Sequence, residues 1–187
     1  MTEKIKEKEA DFYLDDLITA FSKNDSFWLR QLSNKLIEEA IIKDNKKLAK
    51  LSLISYALSK LTSKPHFTYL KNWKKFRKDL LILFATERQE ERTAEKLNTL
   101  LENVISEIRS FDTEANNYIR DAIEKARIKQ ASRAYAFGLS LSKAAELTGA
   151  DKSSLMDYVG STTIHDQPFT LTKPLKQRYK TAQQMLD

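Results

Sequence analysis

The sequence contains no cysteine and only three glycines and three prolines among its 187 residues. Without cysteine, disulfide bonds and thiolate chemistry are excluded. Because residues that make tight turns are so scarce, the composition favours long helices over many short strands. No apolar run approaches the roughly 20 residues that span a bilayer, and the charged start of the chain lacks the apolar segment of a signal peptide. We therefore expect an all-α protein of the cytoplasm that does not enter the membrane.

Residues with catalytic or metal-binding chemistry are also few. The two histidines, His66 and His165, lie far apart in the sequence, and neither has neighbours at metal-ligand spacing. Paired acids such as Glu38 and Glu39 fall on charged helix faces. A catalytic carboxylate needs burial or a partner that shifts its pKa, and the sequence indicates neither here. A glycine-rich phosphate loop is missing as well. We expect no metal, no cofactor and no enzymatic activity.

The net charge of +6 is distributed unevenly along the chain. Residues 64–78 hold six basic and no acidic side chains, residues 79–119 are acidic, and residues 120–187 are basic again. This pattern suits a polyanionic partner. The central basic cluster has two explanations, a solvated helix face or a surface that binds phosphates or an acidic partner. Its members are Lys71, Lys74, Lys75, Arg77 and Lys78.

Apolar residues at helical spacing predict amphipathic helices over the first 137 residues. Breaks are expected at residues 24–26, 44–45 and 62–65, where capping residues or proline interrupt the pattern. The two helices that flank Asp44 and Asn45 are expected to form an antiparallel hairpin. Further helices are expected over residues 67–84, 86–110 and 114–137, with a break at Phe111–Glu114. We expect a helical bundle over residues 1–111 and a second unit over residues 112–187.

The most distinctive stretch, residues 140–160, predicts two short helices joined by a tight turn. Ala145 is small enough for two helices to cross closely, and Gly149 tolerates the positive φ of a sharp turn. Asp151 is placed to cap the second helix. Leu155 and Val159 share one face of that helix and can dock it, which leaves its polar residues outward.

Residues Ala144–Asp151 (AAELTGAD) resemble the helix-turn-helix family of transcription regulators. Residues Leu139–Leu147 (LSLSKAAEL) are also similar to the start of the core of short prokaryotic antitoxins. Both resemblances are confined to residues 139–160. They imply that a recognition helix over residues 152–159 enters the major groove of duplex DNA. The residues that would contact bases or phosphates are Lys143, Lys152, Ser153, Ser154 and Tyr158.

The chain after Gly160 is a candidate for further DNA contacts. Residues 161–164 and 169–172 are short β-branched stretches that predict either a small hairpin, serving as a β wing, or an extended arm. A last helix is expected over residues 175–186. Lys173, Lys176 and Arg178 would add backbone contacts, which set affinity and salt dependence rather than sequence choice.

Three functions are compatible with these patterns. The first is sequence-specific duplex DNA binding as a transcriptional regulator, by a homodimer that presents two recognition helices. The second is an antitoxin-like or adaptor protein whose N-terminal bundle binds a protein partner. The third is RNA association through the central basic cluster. For residues 140–160, the alternative to DNA binding is a helical hairpin that is packed only for stability.

Overall fold

The computed structural model of the chain describes residues 2–88, 94–114 and 120–161. Over these ranges the protein is all-helical and contains no strand, so the expected fold class is confirmed for them. The candidate wing, the last expected helix and the arm lie outside the described residues. The nine helical segments of the described ranges are α1 (Thr2–Ser22), α2 (Ser26–Lys43), α3 (Lys46–Ser63), α4 (Pro65–Thr68), α5 (Trp73–Arg88), α6 (Ala94–Glu114), α7 (Arg120–Ala136), α8 (Leu141–Thr148) and α9 (Lys152–Gly160).

Helices α2 and α3 pack along their length as the predicted hairpin. The chain reverses at Asp44, which takes a left-handed conformation with φ of 47°. The side-chain oxygen of Asn45 then accepts hydrogen bonds from the backbone N–H groups of Lys47 and Leu48, at 3.0 and 3.4 Å. An asparagine in this position satisfies N–H groups that the first turn of a helix leaves free. Helix α3 of the hairpin therefore begins at the capping residue that the sequence predicts.

A buried polar network fixes how α7 lies against this hairpin. The hydroxyl of Ser33 in α2 donates to the carbonyl of Ser52 in α3 at 2.9 Å, and the hydroxyl of Ser52 donates to the carbonyl of Ser33 at 2.8 Å. Gln130 of α7 donates from Nε2 to the Ser33 hydroxyl at 2.8 Å. Because buried polar groups without partners cost free energy, this network favours one register of the three helices.

The structure corrects two of the predicted helix boundaries. The break expected at Phe111 is wrong, since α6 continues to Glu114. The ring of Phe111 is buried and stacks on Phe76 of α5, with 4.2 Å between ring centres. Packing against α5 thus outweighs the capping tendency of the residues that follow. The boundary expected between the two units, at residues 111 and 112, falls inside this helix.

The second correction concerns the single helix expected over residues 67–84, which is divided into α4 and α5 by a turn. Phe67 and Trp73 are both buried, although six residues would place them about 120° apart on a continuous helix. The turn at residues 69–72 brings both rings to the core. None of the helices in the described ranges has both the length and the apolar composition needed to cross a bilayer.

Helix α7 connects the bundle to the last two described helices. It packs against α2, α3 and α6 of the bundle and also against α8 and α9. Helix α8 also contacts α3, whereas the main contacts of α9 are with α7 and α8. The helix pair α8–α9 is therefore held at the edge of the bundle.

Candidate nucleic-acid interface

Helix α8 is the more deeply packed member of the pair. Its N-cap is Ser140, whose hydroxyl oxygen accepts a hydrogen bond from the backbone N–H of Lys143 at 3.2 Å. The small side chains of Ala144 and Ala145 are buried and allow neighbouring helices to approach closely. Thr148 is buried too, and its hydroxyl donates to the carbonyl of Ala144 at 2.9 Å. Its polar group is therefore satisfied inside the helix.

The turn between α8 and α9 has the backbone that a glycine permits. Gly149 has φ of 70° and ψ of 23°, and its N–H donates to the carbonyl of Ala145. A Cβ added at Gly149 would lie 3.8 Å from the guanidinium of Arg127, which is ordinary van der Waals contact. Glycine is thus required here by the left-handed backbone and not by lack of space.

Helix α9 begins with the predicted cap at Asp151. A carboxylate oxygen of Asp151 accepts hydrogen bonds from the backbone N–H of Ser154 at 2.8 Å and from the hydroxyl of Ser154 at 2.9 Å. These bonds, the backbone one first, lower the pKa of the Asp151 carboxyl. The donor of the Ser154 hydroxyl is therefore already used within the helix, and its lone pairs remain able to accept.

Two residues dock α9, as the sequence predicts. Leu155 is fully buried and Val159 is 7% exposed. The opposite side of the helix is exposed over its whole length, and it carries Lys152, Ser153, Met156, Asp157 and Gly160. The structure thus brings Lys152 and Ser153 together with Ser154 in the first turn of an accessible helix.

Lys143 lies in a different environment, because two carboxylates hold its ammonium group. Its Nζ is 3.2 Å from a carboxylate oxygen of Asp44 and 3.7 Å from one of Glu146. The Glu146 carboxylate also pairs with Nζ of Lys46 at 3.0 Å. The hydrogen bond with Asp44 is the main reason that the pKa of Lys143 is raised, and the one from Lys46 lowers the pKa of Glu146. This network ties α8 to the turn between α2 and α3, so a phosphate would have to compete with both carboxylates for Lys143.

Tyr158 lies on the side of α9 that faces α7. It is half-buried, and its hydroxyl oxygen accepts a hydrogen bond from Nζ of Lys129 at 3.2 Å. The same Nζ is 5.6 Å from the centre of the Tyr158 ring. Since the phenol uses a lone pair here, its own O–H can still donate to a ligand. Lys173, Lys176 and Arg178 lie outside the described residues.

The central basic cluster belongs to another part of the molecule. Lys71, Lys74, Lys75 and Lys78 are exposed on or beside α5, which packs against α6 and α1. Arg77 instead donates to the carbonyls of Phe21 and Ser22 at the end of α1, at 3.4 and 3.1 Å. A cation at the last carbonyls of a helix stabilises that end, so Arg77 has a structural role.

A second group of cations, not expected from the sequence, acts on the charge of Lys60 and includes Lys129, which contacts Tyr158. Arg30 of α2, Lys60 of α3 and Lys129 of α7 come from three separate helices, and Lys64 follows α3. We call these four residues the bundle cationic cluster. Only the packing of α2, α3 and α7 brings them together, so no local pattern in the sequence could have indicated them.

Comparisons of this chain with protein-family models, with curated proteins and with solved structures find no match.

Proposed function

We propose that the protein binds duplex DNA in a sequence-specific manner, as a transcriptional regulator, with α8–α9 as a helix-turn-helix and α9 in the major groove. The observation that carries the proposal is the exposed face of α9, opposite the buried Leu155 and Val159 that dock the helix. The major groove of B-DNA admits an α-helix, and a recognition helix must keep one such face free.

The first turn of α9 supplies groups suited to base edges. Residues near the start of a recognition helix are those that reach the bases. The ammonium of Lys152 suits guanine or a phosphate, and the hydroxyl of Ser153 can donate or accept. Ser154 can accept from a base amino group. Asp157 repels phosphates but can accept a hydrogen bond from the amino group of cytosine, so it favours some sequences over others.

Further contacts in this proposal go to the DNA backbone. The O–H of Tyr158 and the ammonium of Lys143 are candidate phosphate donors, as are Lys173, Lys176 and Arg178 in the C-terminal arm. Because one such module forms a small interface, we propose a homodimer that presents two copies of α9. The N-terminal bundle or the charged α6 would supply the contact between protomers.

The test is selection of bound sequences from a pool of random duplexes, followed by titration of the selected duplex. We expect Lys152→Ala and Ser153→Ala each to weaken binding of the selected duplex by about 1–3 kcal/mol, because each removes a side chain that recognises a base. Lys78→Ala, on the distant α5, is the matched control and should bind as the wild type does.

Unchanged affinity in both α9 variants would remove the groove assignment, and absence of any duplex binding would overturn the function. A preference for RNA that disappears after charge reversal at Lys74, Lys75 and Lys78 would favour the RNA hypothesis. A tight complex with another protein, without duplex binding, would favour the adaptor hypothesis.

A further inference from the structure

Two members of the bundle cationic cluster lie over the ring of Tyr56 in α3. The guanidinium carbon of Arg30 lies 4.7 Å from the centre of this ring, and Nζ of Lys60 lies 5.6 Å from it. Lys129 joins the cluster to α9 through its hydrogen bond to Tyr158. Two cations thus lie over one aromatic ring of the hairpin, and a third, close enough to act on the charge of Lys60, lies over a ring of α9.

No carboxylate of the described residues neutralises the charges of this cluster. None of its four members forms an ion pair with an acidic side chain in the part of the chain that the structure describes. Partial burial first, and then repulsion by Arg30, Lys64 and Lys129, lower the pKa of Lys60. The cluster is thus close enough for its charges to act on one another.

Some other cations on the same helices are paired with carboxylates. Arg133, one turn after Lys129 in α7, lies 2.9 Å from a carboxylate oxygen of Glu38. Lys50 of α3 lies 2.6 Å from Glu102. Aromatic faces attract cations and offset part of the repulsion in the cluster. A polyanion laid across it would offset the rest.

We infer that the bundle cationic cluster binds the sugar–phosphate backbone of the same duplex whose major groove receives α9. This inference rests on the proposed function and extends the interface from α8–α9 onto α2 and α3. The cluster is continuous with α9 through Lys129 and Tyr158, and its charge is complementary to phosphates. Such contacts raise affinity for every sequence alike and fix how the protein is oriented on the duplex.

The test compares the double variant Arg30→Gln/Lys60→Gln with the wild type on the selected duplex and on an unrelated one, over a series of salt concentrations. Log affinity falls with log salt concentration, and each phosphate contact contributes about 0.9 to the steepness of that fall. We therefore expect the slope of the double variant to be less steep by about 1.8. Affinity should fall about tenfold for both duplexes alike. The matched control Lys74→Gln/Lys78→Gln removes the same charge from α5 and should leave the slope unchanged.

The single variant Lys60→Gln separates binding from folding. Because burial and the neighbouring cations disfavour the charge of Lys60, replacing it should not lower the midpoint of thermal unfolding, while the steepness of the salt dependence should still fall by about 0.9. A wild-type slope in the double variant, or an equal decrease in the α5 control, would overturn the inference and leave the proposed function standing. If the wild type binds no duplex, the proposed function fails, and this inference fails with it.

Discussion

Helices α8 and α9 are adjacent and of similar length, yet their surroundings differ. Helix α8 packs against both α3 and α7, and its charged residues Lys143 and Glu146 are paired with the turn between α2 and α3. Helix α9 packs mainly against α7 and α8. Its charged residues Lys152 and Asp157 have no ion-pair partner among the described residues.

This difference indicates that α8 fixes the helix pair on the bundle, whereas α9 exposes polar side chains to solvent. Helices of eight and nine residues are too short to be stable alone, so each depends on its packing. The packing and ion pairs of α8 fix its place on the bundle. Helix α9 is docked by Leu155 and Val159, with Tyr158 hydrogen-bonded to Lys129, and the polar groups of its first turn stay exposed. Variants that change one helix and not the other can therefore test this difference between α8 and α9.

The largest expected effect comes from removing the anchor of α9. Leu155→Ala deletes a fully buried side chain and should lower the free energy of unfolding by about 2–5 kcal/mol, measured by urea unfolding. Met156→Ala, next in the chain but 55% exposed, is the control and should stay within about 0.5 kcal/mol of the wild type. Equal losses in the two variants would contradict the described orientation of α9.

The turn that joins the two helices gives a smaller effect with a clear sign. Gly149→Ala forces a left-handed backbone on alanine and should cost about 1–2 kcal/mol of unfolding free energy. Gly160→Ala places a methyl group in open space at the end of α9 and should stabilise by up to about 1 kcal/mol. Thermal or urea unfolding of the two variants would measure both effects. A stabilising Gly149→Ala would show that the turn is not as described.

The two N-caps give the smallest effects, and only that of Asp151 depends on pH. Because the folded state lowers the pKa of Asp151 below its ordinary 3.8, its carboxylate contributes stability that is full above that value and is lost as pH falls through the folded pKa. Asp151→Asn keeps a capping oxygen but cannot ionise. Its thermal midpoint should lie below that of the wild type near neutral pH, and the gap should close in acid.

Ser140→Ala removes the uncharged cap of α8 and is the comparison for that experiment. Its loss of stability, relative to the wild type, should not depend on pH, since the Ser140 hydroxyl does not ionise in this range. A gap between Asp151→Asn and the wild type that widens as pH falls would contradict the assigned role of the Asp151 carboxylate.

The sequence predicted those features that depend on neighbouring residues. Asn45 and Asp151 cap helices where expected, and Gly149 makes the expected turn. A cap needs only a side-chain oxygen and free N–H groups within three residues. Docking through Leu155 and Val159 follows in the same way from helical periodicity. The all-α class was predictable because glycine and proline are so scarce.

Features that depend on distant residues were not predictable in this way. The stacking of Phe111 on Phe76 extends α6 past its expected end, and no local pattern indicates it. The pairing of Lys143 with Asp44 joins residues 99 positions apart. Likewise, the bundle cationic cluster exists only once α2, α3 and α7 are packed. The identity of a charged residue does not tell whether its charge is already compensated.

The measurement closest to the central claim is site-specific crosslinking from α9 to DNA. Because the chain has no cysteine, Ser153→Cys and the control Lys78→Cys each provide a single attachment point for a short photo-crosslinker. With the selected duplex, we expect crosslinks to bases from position 153 and none from position 78. Binding of the duplex without base crosslinks from position 153, or with equal crosslinks from both positions, would contradict the placement of α9 in the major groove.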